Sequence, residues 1–217
     1  MKIKKLFLII ITLFSLITYS QDFEGKIEYK ITCIKNNKEV IDSPEFIKFM
    51  GDKSTFVTKK GSYKQITNSY ISSFQLYDPN KNKLYLKNNR NTTESDTLFS
   101  VDVSKMKNTK FEYEIIKNAD TILGHICNKL IIKPHSNLIQ QDYYYSSDLK
   151  LNPKYFKNFS AFDKNKITDL MKSVFLRLDF HFKDFILNMT AIDIQKIEIS
   201  DSEFTLPSYK LLVEKID

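Results

Sequence analysis

Residues 23–34 read FEGKIEYKITCI, and their order separates them into two sets. Ile27, Tyr29, Ile31 and Cys33 take every second place, with Glu28, Lys30 and Thr32 between them. Only an extended strand, whose successive side chains point to opposite faces, puts one set in a core and the other in water. The same period of two returns along most of the chain. Glu45–Met50 and Ser54–Lys59 flank Gly51-Asp52 as a predicted hairpin, and Lys60-Gly61 supplies the next turn. Ile71–Tyr77 and Lys83–Lys87 surround Asp78-Pro79-Asn80, where proline after aspartate starts a turn. Further strands are expected over Thr97–Val103, Phe111–Ile116, Thr121–Lys133 and Ile139–Ser146.

After Asn152-Pro153 the period changes. Ile167, Leu170, Met171, Val174, Phe175 and Leu178 fall on one helical face, but the residues from Val174 onward also alternate as a strand would, which resolves to a short helix over 165–171. From Val174 to Phe182 alternation resumes, so a hairpin turning at Lys183-Asp184 and returning through Phe185–Ile199 should follow, with a terminal strand over Tyr209–Val213. The expected fold class is therefore mainly β: an antiparallel meander with one or two short helices, and no repeat, linker or low-complexity tract.

The first five residues carry three lysines, and Leu6–Ile17 is apolar except for Thr12 and Ser15. A basic segment followed by an apolar one is the pattern of a secretory signal peptide. A bilayer span needs about 20 apolar residues, and this run is shorter. Thr18 and Ser20 place small residues where a signal peptidase accepts them, so cleavage is expected between Ser20 and Gln21. Residues 1–20 are then a leader and 21–217 a single domain outside the cytoplasm, in the periplasm, the outer envelope or the medium. The leader holds three lysines and no acid, so its removal takes the net charge from +7 to +4. Arg90 and Arg177 are the only arginines among 33 basic residues. Nucleic-acid sites favour the planar arginine fork, so a nucleic-acid partner is not expected.

Cys33 and Cys127 are the only cysteines. Export permits a disulfide, which would be worth about 4–5 kcal/mol for a loop of this length. Cys33 also shares a strand face with Ile27, Tyr29 and Ile31, which suits a buried free thiol, and both readings stay open.

The four glycines, at 25, 51, 61 and 124, are too far apart for a phosphate-cradling loop. No G-x-S-x-G elbow or H-E-x-x-H helix occurs. These absences remove the common nucleotide, serine-hydrolase and zinc-protease chemistries, and no cofactor is expected. His125, Cys127 and His135 are a weak set of metal-ligand candidates on or beside one predicted strand, since zinc requires three or four converging donors. Asp179 and His181 share a strand face and have the composition of a base with its orienting carboxylate. Tyr143, Tyr144 and Tyr145 must divide between faces, with at least one ring entering the core and another free to face solvent. The sequons at Asn91, Asn158 and Asn188 carry little weight in a chain so rich in asparagine.

Four stretches, FEGKI at 23–27, ILGHICNK at 122–129, YYSSDL at 144–149 and DSEFTLP at 201–207, resemble in order and spacing a group of small exported envelope proteins of Bacteroidota-type bacteria. The group includes the GLPGLI proteins and their relatives with a LolA-like fold. The namesake Gly-Leu-Pro-Gly-Leu-Ile element is missing, and residues 157–162 read KNFSAF in its place. The resemblance implies an incompletely closed antiparallel barrel whose concave side is covered by helices and holds acyl chains, with no catalytic residues. The expected function is thus non-catalytic: binding of a lipid, an acyl chain or a lipoprotein in an apolar concavity lined by Phe and Tyr. The alternative is a structural or interaction module that pairs with an outer-membrane receptor or other envelope protein through a strand edge. A hydrolase built on Asp179 and His181 is the third reading.

Overall fold

The computed structural model describes residues 22–88, 96–135 and 139–215. The leader with its Ser20–Gln21 junction, Arg90 and the Asn91 sequon lie outside the described residues. Thirteen strands form one sheet: β1 Gly25–Lys35, β2 Val40–Ile41, β3 Lys53–Lys59, β4 Ser62–Thr67, β5 Phe74–Asp78, β6 Lys83–Lys87, β7 Thr97–Asp102, β8 Phe111–Ile122, β9 His125–Pro134, β10 Gln140–Lys150, β11 Ser173–His181, β12 Phe185–Gln195 and β13 Leu211–Lys215. Among the described residues two short α-helices, α1 Pro44–Met50 and α2 Lys164–Met171, interrupt them.

The alternation of β1 is realised in full, with Ile27, Tyr29, Ile31 and Cys33 all buried. β1 is also the pivot of the sheet. Its first half pairs with β3 (Gly25↔Thr58 to Lys30↔Lys53) on one side, and its whole length pairs with β12 on the other. The two-residue β2 takes up Cys33 and Ile34 beyond the reach of β3. From this pivot two meanders run outward, β3 to β7 in one direction and β12 back to β8 in the other. The molecule is therefore a pair of antiparallel meanders joined through β1, rather than the one continuous meander read from the sequence. β13 adds to β7 in parallel. The order starts at β13 and ends at β8, so the sheet is not closed into a barrel.

Two element assignments change. Residues 44–50 form α1 instead of a strand: the Ser43 hydroxyl accepts from the Phe46 N–H, Pro44 occupies the first turn and Glu45 adds an acid there. That is a helix start by capping and by charge against the macrodipole, and it outweighs the short apolar run. The strand expected over 121–133 is instead the end of β8, a turn and β9. Leu123 and Gly124 at the turn have φ of 49° and 80°, the left-handed pair a tight hairpin needs. The turns at Lys60-Gly61, 78–82 and 183–184 and helix 165–171 lie where the sequence puts them.

The β10–β11 connection, residues 151–172, folds back over the sheet. Phe156 and Phe159 pack in one cluster with Tyr63, Tyr77 and Leu84 of the first meander and with Val174 and Leu176 of the second. Ile167 and Met171 of α2 join Leu130, Ile132, Tyr143, Tyr145 and Leu178 in another. One insertion thus covers both halves of the sheet, with each fully buried phenylalanine worth about 2–3 kcal/mol of transfer free energy. The fit is close at the β3–β4 turn, where a Cβ on Gly61 (φ +83°) would lie 2.2 Å from Cβ of Tyr155.

Candidate functional site

The register of β10 against β11 places Asp142 directly opposite Asp179, both almost wholly buried. Two carboxylates so placed repel, and each is held by its own set of donors. Lys129 Nζ reaches Asp142 at 2.7 Å, His181 Nε2 at 2.9 Å and Gln140 Nε2 at 2.9 Å. Asp179 accepts from Arg177 Nε at 3.0 and 3.1 Å, from Arg177 Nη2 at 2.7 Å, and from the Asn188 amide. Arg177 and Lys129 lie over the Tyr144 ring at 4.3 and 5.3 Å. Burial pushes the Asp142 carboxyl up, but Lys129, Gln140 and His181 more than cancel it and hold the group below its usual range. Burial likewise works against the Lys129 ammonium, and Asp142 overcomes it, raising its pKa.

The partner of His181 is therefore Asp142, whereas Asp179, two residues away on the same strand face, is bonded to Arg177 and Asn188. The sequence pairing fails because the nearest carboxylate comes from the next strand. Among the described residues no hydroxyl or thiol bonds to His181, so no nucleophile completes a catalytic pair. Asp142, Asp179 and His181 also bring ligand atoms within 4.8 Å of one another. A cation there would have to displace an ammonium and a guanidinium already neutralising both carboxylates. The geometry is that of a balanced structural network.

Its pH dependence follows from the signs. The depressed Asp142 pKa contributes stability that is present above its unfolded value of about 3.9 and is lost as pH falls through the lower folded value. The raised Lys129 pKa contributes stability present below about 10.4 and lost as pH rises through the higher folded value. Urea midpoints measured across the acid limb should fall steeply in the native chain and less steeply in Asp142→Asn. Parallel acid limbs would show that Asp142 carries no share of that stability.

The structure does not bring His125, Cys127 and His135 together. His125 Nδ1 faces Asp148 at 3.2 Å at one end of β9, and the Cys127 thiol donates to the His125 carbonyl. His135 faces Glu112 at 3.5 Å beyond the other end, ten residues further on at about 3.4 Å each. Cys33 and Cys127 are both buried free thiols, on β1 and β9, four strand spacings of about 4.8 Å apart along the sheet. The three tyrosines are all buried. Tyr143 and Tyr145 enter the α2 cluster, and Tyr144 belongs to the cluster that also holds Phe156, with Arg177 and Lys129 over its ring.

The feature the sequence left unread is the outer edge of β8, which pairs with no further strand among the described residues. Tyr113, Ile115 and Ile116 are 55%, 40% and 39% exposed on this edge strand. The His135 N–H donates to the Lys110 carbonyl, which makes that pair the hydrogen-bonded kind and sets the phase of the ladder. By alternation Phe111, Tyr113 and Ile115 sit at non-hydrogen-bonded positions, so their own N–H and C=O groups point away from β9, to the open edge. Their side chains share the face that α2 covers further in. Between α2 and β8 lies a cleft of about 510 Å³ lined by the apolar Phe111, Tyr113 and Leu170 and by polar and charged residues that include Thr109, His135 and Lys166. Two clefts of 590 and 610 Å³ flank Lys59 and Lys60, but charged and turn residues line most of each.

No family model matches the chain, and no curated protein matches it in sequence. Among solved structures, PNGF-II superposes with a TM-score of 0.49 at 14% identity, over 88% of this chain and 31% of that one. The present chain therefore spans less than a third of PNGF-II. A LolA superfamily protein from Nitrosomonas europaea superposes with a TM-score of 0.34 at 9% identity, over 86% of this chain and 91% of that one.

Proposed function

We propose that this is an exported, non-catalytic binding protein of the periplasm or outer envelope that takes an extended apolar polypeptide segment on the open edge of β8. The observation that carries the reading is the coincidence of outward-facing main-chain groups and exposed apolar side chains at residues 113 and 115, with the partly buried Phe111 beside them. Strand addition uses both, with the backbone giving affinity and alternate side chains entering a groove. A long exposed apolar edge is otherwise a liability that proteins blunt or cover. Phe156, Phe159 and α2 pack on the sheet where an interior concavity was expected, and the β8–α2 cleft offers an apolar space open to a ligand. A lipoprotein segment is one source of such a peptide. An acyl chain alone would fill the cleft and leave the edge amides to water.

The test uses peptides selected from a random display library on the full chain. Binding should slow hydrogen exchange at the amides of Tyr113 and Ile115. Tyr113→Pro and Ile115→Pro remove N–H groups that β9 does not use, so the fold should persist while affinity falls at least ten-fold, well beyond the loss in the matching alanine variants. Selected peptides that leave exchange at these two amides unchanged would refute strand addition. Recovery of the exported protein with a lipid bound in native mass spectrometry would favour the acyl-chain reading instead.

A further inference from the structure

Residues 104–110 and 153–172 hold eight lysines and two aspartates, a net +6 in a chain whose charge without residues 1–20 is +4. The fold brings the two stretches to one end of the molecule. The Ser160 and Ala161 N–H groups donate to the Val103 carbonyl at 3.0 and 3.3 Å, the Thr109 N–H to Asp163 at 2.8 Å, and Lys166 Nζ to the Thr109 carbonyl at 2.9 Å. Lys105, Lys107, Lys154, Lys157 and Lys166 are exposed there. Three of them, Lys154, Lys157 and Lys166, line a single cleft of about 330 Å³ with Asn165 and Asp169. Lys164 turns inward instead, over the Phe156 ring at 5.8 Å. Asp163 is engaged by Thr109 and by Lys166 at 3.6 Å, which leaves Asp169 as the exposed acid of the two stretches.

Within this basic end stands Phe162, 73% exposed. Its φ and ψ are 55° and 25°, and Asp163 follows at 54° and 24°, so two consecutive residues with side chains are left-handed. The loop is closed behind them by the Asn165 N–H, which donates to the Phe159 carbonyl at 2.8 Å. A phenylalanine in that backbone region is unfavourable, and its ring in water is unfavourable again. Both costs are met by a ring exposed in the same stretch that carries Lys154, Lys157 and Lys166. Lysines on flexible stems act as mobile point charges and impose no fixed fork geometry, which suits a fluid array of phosphates better than the fixed groups of a protein partner. A lone ring also lacks the run of stacking platforms that single-stranded nucleic acid uses.

We propose that this end of the protein docks on an anionic lipid surface, with Phe162 seated at the headgroup–acyl boundary and Lys105, Lys107, Lys154 and Lys157 against the lipid phosphates. The site is separate from the β8 edge and does not rest on the strand-addition reading. The chain contains no tryptophan, so Phe162→Trp in the full chain is a single reporter at the point of contact. With phosphatidylglycerol-rich vesicles its emission should shift to the blue and be quenched by brominated acyl chains, and both changes should vanish in high salt or with pure phosphatidylcholine. Lys105→Ala and Lys157→Ala should each weaken binding about five-fold, and Phe162→Ala by a similar factor. Residues 1–21 are common to every variant, so any binding of their own cancels in these comparisons. An unchanged urea midpoint for Phe162→Ala shows that the fold is intact. Equal binding to neutral vesicles, no spectral change at position 162, or the same spectral change with inorganic polyphosphate in the absence of lipid would overturn the proposal.

Discussion

Replacing Phe156 with alanine is expected to lower the unfolding free energy by about 3–5 kcal/mol, the range for a wholly buried phenylalanine. The ring is 1% exposed and lies among Tyr63, Tyr77 and Phe159 at centroid distances of 6.4, 5.6 and 6.5 Å, each nearly parallel to it. Removing it takes away the transfer free energy of the side chain and leaves a hole that these neighbours have little room to close. Tyr77 has its hydroxyl tied to the Tyr155 carbonyl at 3.2 Å, and Tyr63 is stacked on Phe56 at 5.5 Å. Both rings are therefore held in place. Thermal unfolding should drop by about 10 °C at the usual 2–4 °C per kcal/mol for a domain of this size. The cavity would be apolar and dry, so xenon or benzene should recover part of the loss. Loss of less than 1 kcal/mol would mean that residues 151–172 are not held on the sheet by this contact. The interior would then be open to a ligand, and the reading that places an acyl chain there would regain its ground.

That dependence on one inserted segment explains which parts of the fold were legible in the sequence. Alternation along β1 is strong because one face of it is covered by residues far away in the chain, and the covering needs no detail to be felt. The turns at Lys60-Gly61 and 183–184 are local chemistry and were read directly. α1 was missed because its apolar positions, Phe46, Ile47 and Phe49, span only two turns, too few for a period of 3.6 to emerge from a run that also alternates. The Ser43-Pro44-Glu45 cap was the available signal. The pairing of β1 with β12 across more than 150 residues has no local trace, and so the double meander was read as a single one. The site divides in the same way. Asp179 and His181 were visible as a same-face pair, but Asp142, Lys129 and Arg177 join them only through the registers of β9, β10 and β11. The open edge of β8 was invisible for a different reason. Its residues alternate like those of any strand, and nothing in the order of side chains says that no neighbour will lie on the outer side.

Asp179→Ala should be the most destabilising change on the polar face, with two opposing effects deciding its size. Removing the carboxylate relieves its repulsion with Asp142 directly across the pair, a gain of about 0.2–1 kcal/mol. It also strips Arg177 of its bidentate partner and leaves the guanidinium with Asp120 at 3.3 Å as its remaining carboxylate. Loss of a partner from a buried ion pair costs about 3–5 kcal/mol, somewhat less here because the Arg177 side chain keeps 29% of its exposure. The second effect wins, and a net loss of about 2–4 kcal/mol is expected in urea unfolding. The control is the double variant Arg177→Met with Asp179→Leu, which removes both charges while keeping apolar bulk beside Tyr144. It should be more stable than Asp179→Ala alone, because the single change leaves an unpaired cation and the double change leaves none. A single variant as stable as the native chain would mean that the two carboxylates repel more than Arg177 attracts, and the cluster would then hold Asp142 and Asp179 together at a cost, as a metal site does.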